Sequence, residues 1–222
     1  MAIPSDISGL QFWVKSDTGV THAVADLVTA WADQSGNGRN LTELVNSPLW
    51  VDALVNGYPA IRFDGSNDKL TTSAFDVAQP STLFVVMKML AYTNPRGYWG
   101  SGNAVGTSLI NRGSSTIILT DENVGDGPSA SDDGAFGLWK AVANGTSSLL
   151  ARNDGSDATS ATNFSSMMPN DGVLLGCRSG GSQFGNCEIA EIALYDSVIS
   201  GATQTALKNY FGPRYALGFG SS

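Results

Sequence analysis

Apolar and polar residues alternate in short runs along most of this chain. In residues 10–15 (LQFWVK) the apolar side chains Leu10, Phe12 and Val14 share one face of an extended backbone. Residues 82–90 (TLFVVMKML) form the longest apolar run, which is rich in β-forming residues and predicts a central strand. About a dozen such runs recur at intervals of roughly 8–12 residues, which is typical of a two-sheet sandwich.

The end of the chain carries a different pattern. Residues 189–195 predict one more strand, and we expect its even-numbered side chains to lie on the core. The helical spacing that follows predicts one short C-terminal helix, which begins after Ser200 as the N-cap and ends at Gly212-Pro213. The expected fold is therefore all-β, a two-sheet sandwich with a single late helix.

Turn residues suggest how the strands connect. We predict that residues 60–63 and 69–72 pair as a hairpin through the Asp-Gly turn between them. Residues 92–103 are aromatic and contain Gly and Asn, and residues 121–133 hold five acidic side chains with no basic one. Both stretches are predicted to be exposed loops.

Composition limits the class of protein. The 222 residues contain no linker, so we expect one domain over residues 1–222 with its core at about 7–217. The formal net charge of −8 argues against a nucleic-acid partner, because phosphate contacts need clustered Lys and Arg. No apolar run is long enough to span a bilayer, so membrane insertion is not expected. The first residues also lack the pattern of a signal peptide.

Two cysteines, Cys177 and Cys187, flank a turn-forming stretch between two strand-like runs. If these runs pair as a hairpin, the two thiols could form a disulfide; the alternative is a pair of small buried apolar side chains. Their spacing fits no zinc pattern, and His22 is the only histidine.

Four stretches together resemble a known family. In chain order they are residues 9–14 (GLQFWV), 31–38 (WADQSGNG), 59–68 (PAIRFDGSND) and 189–196 (IAEIALYD). They are similar to laminin-G-like domains of the concanavalin A-like superfamily, over nearly the whole of residues 7–217. The resemblance implies an antiparallel two-sheet jelly-roll sandwich with curved sheets, a fold that often carries a carbohydrate or protein ligand on its concave face or loop rim. Such domains occur in bacterial surface and secreted proteins and in phage virions.

The resemblance does not imply chemistry, because this superfamily contains both enzymes and binding modules. Glycosidases of this fold carry their carboxylates on one strand in a Glu-x-Asp-x-x-Glu arrangement, and none of the glutamates here begins that motif. Glu188 and Glu191 have opposite parity on their strand and are expected to face opposite ways. We therefore expect a protein that is not an enzyme.

Sugar recognition needs an exposed aromatic ring with polar side chains beside it. Tyr98 and Trp99, in the predicted loop, are the preferred platform, with Asn103 and Arg112 as polar neighbours. Trp50 lies in another predicted loop and is a further candidate. The alternative is that these aromatic side chains pack down onto a sheet.

Oxygen ligands for Ca²⁺ occur at one tight turn. Asp64, Asn67 and Asp68 offer them, and the acidic stretch at residues 121–133 offers more. The alternative is that these side chains hydrogen-bond their own backbone, as Asp and Asn at turns usually do.

The expected function is a non-catalytic module that recognises a cell-surface polysaccharide, on the surface of a phage-like virion or in the extracellular space. One alternative is a purely structural virion decoration or tail protein, which contacts other virion proteins or copies of itself as a homo-oligomer. A glycan-cleaving hydrolase or lyase ranks third, for want of a carboxylate pair.

Overall fold

The alternating runs form strands in the computed structural model, which describes residues 2–93, 95–102, 106–164 and 172–219. The strands, in chain order, are β1 Leu10–Lys15, β2 Val20–His22, β3 Val28–Trp31, β4 Leu41–Thr42, β5 Leu49–Val55, β6 Tyr58–Asp64, β7 Leu70–Thr71, β8 Ser81–Met89, β9 Pro95–Ser101, β10 Thr107–Arg112, β11 Thr116–Asp121, β12 Gly125–Ser131, β13 Gly137–Ala143, β14 Leu149–Arg152, β15 Ala158–Thr159, β16 Val173–Leu175 and β17 Asn186–Tyr195. Helix α1 spans Gly201–Tyr215, and two short 3₁₀ helices lie at Pro4–Asp6 and Val24–Asp26.

The strands form two sheets. Sheet A has the order β15-β14-β13-β8-β17-β6-β5, with β1 also paired to β17. Sheet B has the order β12-β11-β10-β9-β16-β7-β4-β3-β2. Every strand pairing in these two sheets is antiparallel. The prediction of an all-β, two-sheet sandwich with one C-terminal helix is confirmed.

Two apolar cores hold these layers together. The larger core lies between the sheets and includes Phe12, Val14 and Trp99. The smaller core lies between the other face of sheet A and helix α1, where Trp13 and Phe211 are buried. Full burial of each such side chain contributes about 1.5–3 kcal/mol to stability. Sheet A has an apolar core on each of its faces and therefore forms the centre of the molecule.

Strand β17 lies at the middle of sheet A and has an irregular register. It pairs with β1, β6 and β8, and its pairing with β8 shifts between Ile189 and Glu191. Ile192 faces the larger core, as predicted, whereas Ala190 faces the helix. The expectation for Ala190 was wrong because a bulge inserts an extra residue and reverses the alternation.

The same bulge changes the placement of two glutamates. Glu188 lies opposite Lys88 on β8, and Glu191 lies opposite Val86. Positions 86 and 88 are two residues apart and share a face of β8, so their partners share a face of β17. The prediction that Glu188 and Glu191 point to opposite faces was wrong.

Helix α1 follows an N-cap at Ser200, as predicted, although the Ser200 hydroxyl makes no capping hydrogen bond. The helix does not end at Gly212-Pro213 but continues to Tyr215, where Ala216 adopts a left-handed conformation at φ 50°. Pro213 lacks only its own N–H, so the final turn can form around it. None of the helices in the described ranges is long and apolar enough to cross a membrane.

Three predictions about connections were wrong. Strands β6 and β7 do not form a hairpin, because β6 belongs to sheet A and β7 to sheet B. The Asp-Gly turn between them therefore carries the chain from one sheet to the other. The predicted loop at residues 92–103 contains strand β9, which lies inside sheet B. The predicted acidic loop contains strand β12, and Asp121 and Asp132 at its two ends are buried.

The two cysteines are free and buried. Strand β16, before Cys177, is in sheet B and strand β17, which contains Cys187, is in sheet A, so the predicted hairpin does not exist. Burial raises the pKa of the Cys177 thiol to about 12 and also raises that of Cys187. Both thiols therefore behave as small apolar side chains.

Candidate functional site at the seam between the sheets

The preferred aromatic platform is not on the surface. Tyr98 and Trp99 lie in strand β9, and their exposed fractions are 0% and 1%. Both side chains belong to the core between the sheets, where the Trp99 ring is 6.4 Å from that of Phe12. A ring enclosed on both faces offers no surface to a sugar, so the prediction for Tyr98 and Trp99 was wrong. Asn103, the polar neighbour, lies outside the described residues.

Arg112 is exposed, at the end of strand β10. Its guanidinium donates to both carboxylate oxygens of Asp126, at 2.6 and 3.1 Å, and the Thr120 hydroxyl donates to the same carboxylate at 3.0 Å. The Arg112 hydrogen bonds lower the pKa of Asp126. This ion pair lies on the face of sheet B that points away from the larger core.

A second ion pair lies near Arg112. Arg178 donates to the Glu122 carboxylate at 2.5–2.9 Å, and Ser108 donates to the same carboxylate at 2.8 Å. The loop that carries Arg178 lies against strand β9 at Gly97, where an added Cβ would collide with the Arg178 backbone nitrogen. The pair between Arg178 and Glu122 therefore fastens this loop to sheet B.

Trp50, the remaining candidate, is half-buried in a strand and not in a loop. It lies in β5, the edge strand of sheet A, and its indole Nε1 donates to the carbonyl oxygen of Ser16 at 3.1 Å. The imidazole of His22 lies parallel to the indole, with the ring centroids 5.0 Å apart and the planes 4° apart. His22 belongs to β2, the edge strand of sheet B. The stacked pair therefore spans the seam between the two sheets.

A cavity of about 140 Å³ opens beside this pair. Its lining includes the Trp50 and His22 rings, Asp17 and Thr18, whereas the hydroxyl of Ser16 is buried and donates to the carbonyl oxygen of Pro59. The residues that line it are Ser16, Asp17, Thr18, Gly19, Val20, His22 and Trp50. A bridge between Leu27 and Leu49 joins the two sheets near the cavity and fixes the width of the seam.

An ionic network around the buried Glu191 anchors Asp17, which lines the cavity. Arg214 of helix α1 donates to Asp17 at 2.6 Å and lies 3.3 Å from the Glu191 carboxylate. Three further donors contact Glu191 at 2.6–3.0 Å: Trp13 Nε1, Tyr210 Oη and Tyr215 Oη. Burial raises the pKa of Glu191, whereas these donors and Arg214 oppose the shift. Asp17 is therefore tied to a rigid part of the fold.

The chemistry of the cavity suits a small polar ring. The Trp50 indole, with His22 stacked on one of its faces, presents apolar aromatic surface, Asp17 accepts hydrogen bonds, and the Thr18 hydroxyl both donates and accepts them. His22 is oriented by Asp26, whose carboxylate lies 3.1 Å from its Nδ1. The sequence indicated Trp50 but missed His22 and Asp17. They come together only because the edge strands β2 and β5 of the two sheets lie side by side at the seam, and no local pattern encodes that.

The proposed calcium turn satisfies its own backbone. Asp64 Oδ1 accepts the N–H groups of Ser66, Asn67 and Asp68 at 2.7–3.4 Å, and Asp68 Oδ2 accepts that of Asp64. Across the described ranges, no group of three or more His, Cys, Asp or Glu side chains is arranged to hold a metal ion. One oxygen of Asp64 and one of Asp68 thus serve the backbone of the turn, and calcium binding by Asp64, Asn67 and Asp68 stays a prediction.

The glutamates that share a face of β17 are both engaged. Glu188 accepts two hydrogen bonds from Arg62, at 2.8 and 2.5 Å, and Glu191 lies in the ionic network under the helix. Both carboxylates are buried. Neither is presented to a cleft as a general acid or a nucleophile would need to be.

A larger cavity, of about 420 Å³, lies where helix α1 begins. It is lined by Ile7, Val198, Ile199 and a set of short polar side chains. Its lining contains no aromatic ring, so the cavity beside Trp50 is the better candidate for a sugar.

No protein-family profile and no curated protein matches the chain. Several solved structures are similar to the chain in fold. The binding domain of botulinum neurotoxin serotype D is similar with a TM-score of 0.65 and 13% identity, over 94% of this chain and 53% of that one. The binding domain of Paraclostridial Mosquitocidal Protein 1 is similar with a TM-score of 0.64 and 12% identity, over 94% and 53%. The likeness is one of fold.

A Trypanosoma rangeli sialidase in complex with sialic acid is also similar, with a TM-score of 0.61 and 13% identity over 91% of this chain and 33% of that one. The chain thus spans about half the length of the toxin binding domains and one third of the sialidase. These neighbours agree with a two-sheet sandwich.

Proposed function

We propose that this chain is a non-catalytic binding module that holds a glycan of a cell surface in the cavity beside Trp50. The observation that carries the proposal is the Trp50–His22 pair at the seam, with Asp17 beside it. Apolar aromatic surface beside a fixed carboxylate is the combination that suits sugar recognition.

Two further observations support this proposal. Among the similar solved structures, two are named as binding domains, which is compatible with a binding role for a sandwich of this shape. The glutamates that could have formed a catalytic pair are buried in ion pairs, which favours binding over hydrolysis.

The setting follows from the resemblance to laminin-G-like domains of the concanavalin A-like superfamily. We place the module on the surface of a phage-like virion or in the extracellular space, where a cell-surface polysaccharide would be its partner. Arg112 is a second candidate contact, on a separate surface. Five strands of sheet B separate β10 from β2, which is roughly 29 Å at the usual strand spacing, so Arg112 and Trp50 cannot serve one sugar ring.

The experiment compares glycan binding by three proteins: the unaltered chain, Trp50→Ala and Arg112→Ala. On a panel of bacterial and host surface glycans, we expect Trp50→Ala to weaken binding at least about tenfold, because the cavity loses the indole and the support of the His22 ring. We expect Arg112→Ala to bind like the unaltered chain. Loss of binding in Arg112→Ala alone would move the site to the outer face of sheet B.

Trp50 also packs against the core, so a folding defect must be separated from a binding defect. His22→Ala removes the stacked imidazole from an exposed position and should weaken binding without lowering the melting temperature by more than a few degrees. If the unaltered chain binds no glycan in the panel, or if Trp50→Ala and His22→Ala bind as well as it does, the proposed function is contradicted.

A further inference from the structure

The cavity beside Trp50 is negatively charged. Asp17 is the carboxylate of its lining, and 27% of the Asp17 side chain is exposed. A second carboxylate, that of Asp26, lies next to the lining residue His22 and is 57% exposed. Of the described residues that line the cavity, none is a Lys or an Arg. With His22 neutral at pH 7, the cavity has two carboxylates in or beside its lining and no cation within it.

The cations around Asp17 leave this negative charge in place. Arg214 contacts two carboxylates at once, because its guanidinium donates to Asp17 at 2.6 Å and lies 3.3 Å from Glu191. The Lys15 ammonium lies 5.4 Å from the centroid of an indole in the core under helix α1, and Lys15 does not belong to the cavity lining. Even with Lys15 counted, the three carboxylates of Asp17, Glu191 and Asp26 outnumber the two cations.

The side-chain donors of the cavity lining are already engaged. The Trp50 Nε1 donates to the carbonyl oxygen of Ser16 at 3.1 Å, and the Ser16 hydroxyl donates to the carbonyl oxygen of Pro59. The Thr18 hydroxyl contacts the Asp17 carboxylate at 3.4 Å. An anionic group on a ligand needs such donors for its own oxygens, and these side chains use theirs within the protein.

His22 adds an acceptor to the lining. The Asp26 carboxylate lies 3.1 Å from its Nδ1. Because a carboxylate only accepts hydrogen bonds, the neutral ring carries its N–H on Nδ1, which leaves Nε2 as an acceptor. Together with the Asp17 carboxylate, Nε2 requires a ligand that supplies the donors. The hydroxyl groups of a sugar do so, whereas a carboxylate on the sugar supplies acceptors alone.

We propose that the cavity selects a neutral sugar residue over an acidic one, which carries a carboxylate. The inference rests on the proposed function and names the class of glycan that the same cavity takes. An acidic sugar would place a second anion beside Asp17. Two like charges about 4 Å apart lower affinity roughly fivefold even in bulk water, and by more where the protein excludes water. Arg214 does not offset this repulsion, because Asp17 and Glu191 already hold it and its side chain is 15% exposed.

The test compares acidic polysaccharides of the panel with the carboxyl-reduced form of the same polymer, in which each –COO⁻ has become –CH₂OH. At pH 7.5 and low ionic strength, we expect the unaltered chain to bind the reduced form at least about fivefold more tightly. Asp17→Asn should remove most of this preference, read as the ratio of the two affinities. The matched control is Asp154→Asn, which makes the same charge change in an exposed ion pair with Lys208 and should keep the preference.

A second variant keeps the test independent of the contact between Asp17 and Arg214. Thr18→Lys introduces an ammonium into the lining and should shift the preference towards the acidic forms. If the unaltered chain binds the acidic form as tightly as the reduced form, or if Asp17→Asn and Thr18→Lys both leave the ratio unchanged, this inference is overturned while the proposed function stands. Absence of binding by either form would contradict the proposed function and, with it, the inference that rests on it.

Discussion

At the scale of single residues, one buried charge is stabilised by an ion pair and several hydrogen bonds. Glu191 is buried between sheet A and helix α1, where an unpaired carboxylate would be very costly. Arg214 and three side-chain donors surround it, and Arg214 also stacks 4.1 Å from the centroid of the Tyr58 ring. The network stabilises the helix on the sheet and fixes Asp17 at the cavity.

Glu191→Ala should therefore destabilise the protein by about 3–5 kcal/mol, because it leaves the Arg214 charge and the donors without their acceptor. Urea or guanidinium unfolding measures this change. The control is Asp154→Ala, which removes the partner of Lys208 from an exposed ion pair and should cost at most about 1 kcal/mol. Equal losses in the two variants would contradict the account of the network.

The turn that resembled a calcium site predicts a pH effect. Burial, with the adjacent Asp64 carboxylate, raises the pKa of Asp68 to about 6. A raised pKa means that the folded state holds this proton more tightly than the unfolded state, whose pKa is about 3.9. The stability that Asp68 contributes is complete below pH 3.9 and is lost as the pH rises through 6. Asp68→Asn should therefore match the unaltered chain near pH 4 and melt at a higher temperature at pH 7.

Asp64→Asn is the matched variant for which we expect the opposite change in melting temperature at pH 7. Burial acts to raise the pKa of Asp64, but hydrogen bonds from the backbone N–H groups of Ser66, Asn67 and Asp68 outweigh burial and lower this pKa. A lowered pKa gives stability that is present above the unfolded pKa and lost as the pH falls. Asp64→Asn should thus lower the melting temperature at pH 7. Thermal melts from pH 3.5 to 7.5 test both variants, and a shift of the same sign at pH 7 would contradict the assignment.

At the scale of elements, strands with regular alternation could be predicted and irregular ones could not. The bounds of β1 and the centre of β8 follow from their apolar pattern alone. Strand β9 was missed because its proline and two glycines are typical of a loop and outweighed its aromatic residues. In the fold, Gly97 is needed where the Arg178 loop crosses the strand. That requirement is a tertiary contact, so no local pattern could reveal it.

Gly97→Ala tests this crossing. An added Cβ would collide with the backbone of Arg178 and Cys177, which cannot move without lifting the loop, so we expect a loss of at least about 2 kcal/mol in denaturant unfolding. Gly57→Ala is the control: its φ is +79° but nothing lies within 4 Å, so strain alone should cost roughly 1 kcal/mol. An equal cost at the two glycines would show that the loop does not lie on β9.

At the scale of the whole molecule, the fold could be predicted but the site only in part. Repeated strands and one helix determine a sandwich, and the segments that resemble laminin-G-like domains gave the same expectation. The candidate residues were chosen by their position in predicted loops, which failed for Tyr98 and Trp99 because they lie in an inner strand. Trp50 was also predicted in a loop but lies half-buried in the edge strand β5, and its stacking partner His22 comes from the other sheet.

The central claim is that a glycan binds at Trp50. The most direct measurement is a nuclear magnetic resonance titration of the five indole N–H signals, with Trp50 assigned by Trp50→Phe. Trp13 and Trp31 donate to Glu191 and Lys15, and Trp99 and Trp139 are buried, so these four serve as internal references. On addition of the tightest glycan of the panel, the account predicts a saturable shift of the Trp50 signal alone. Saturation of binding with an unchanged Trp50 signal would contradict it.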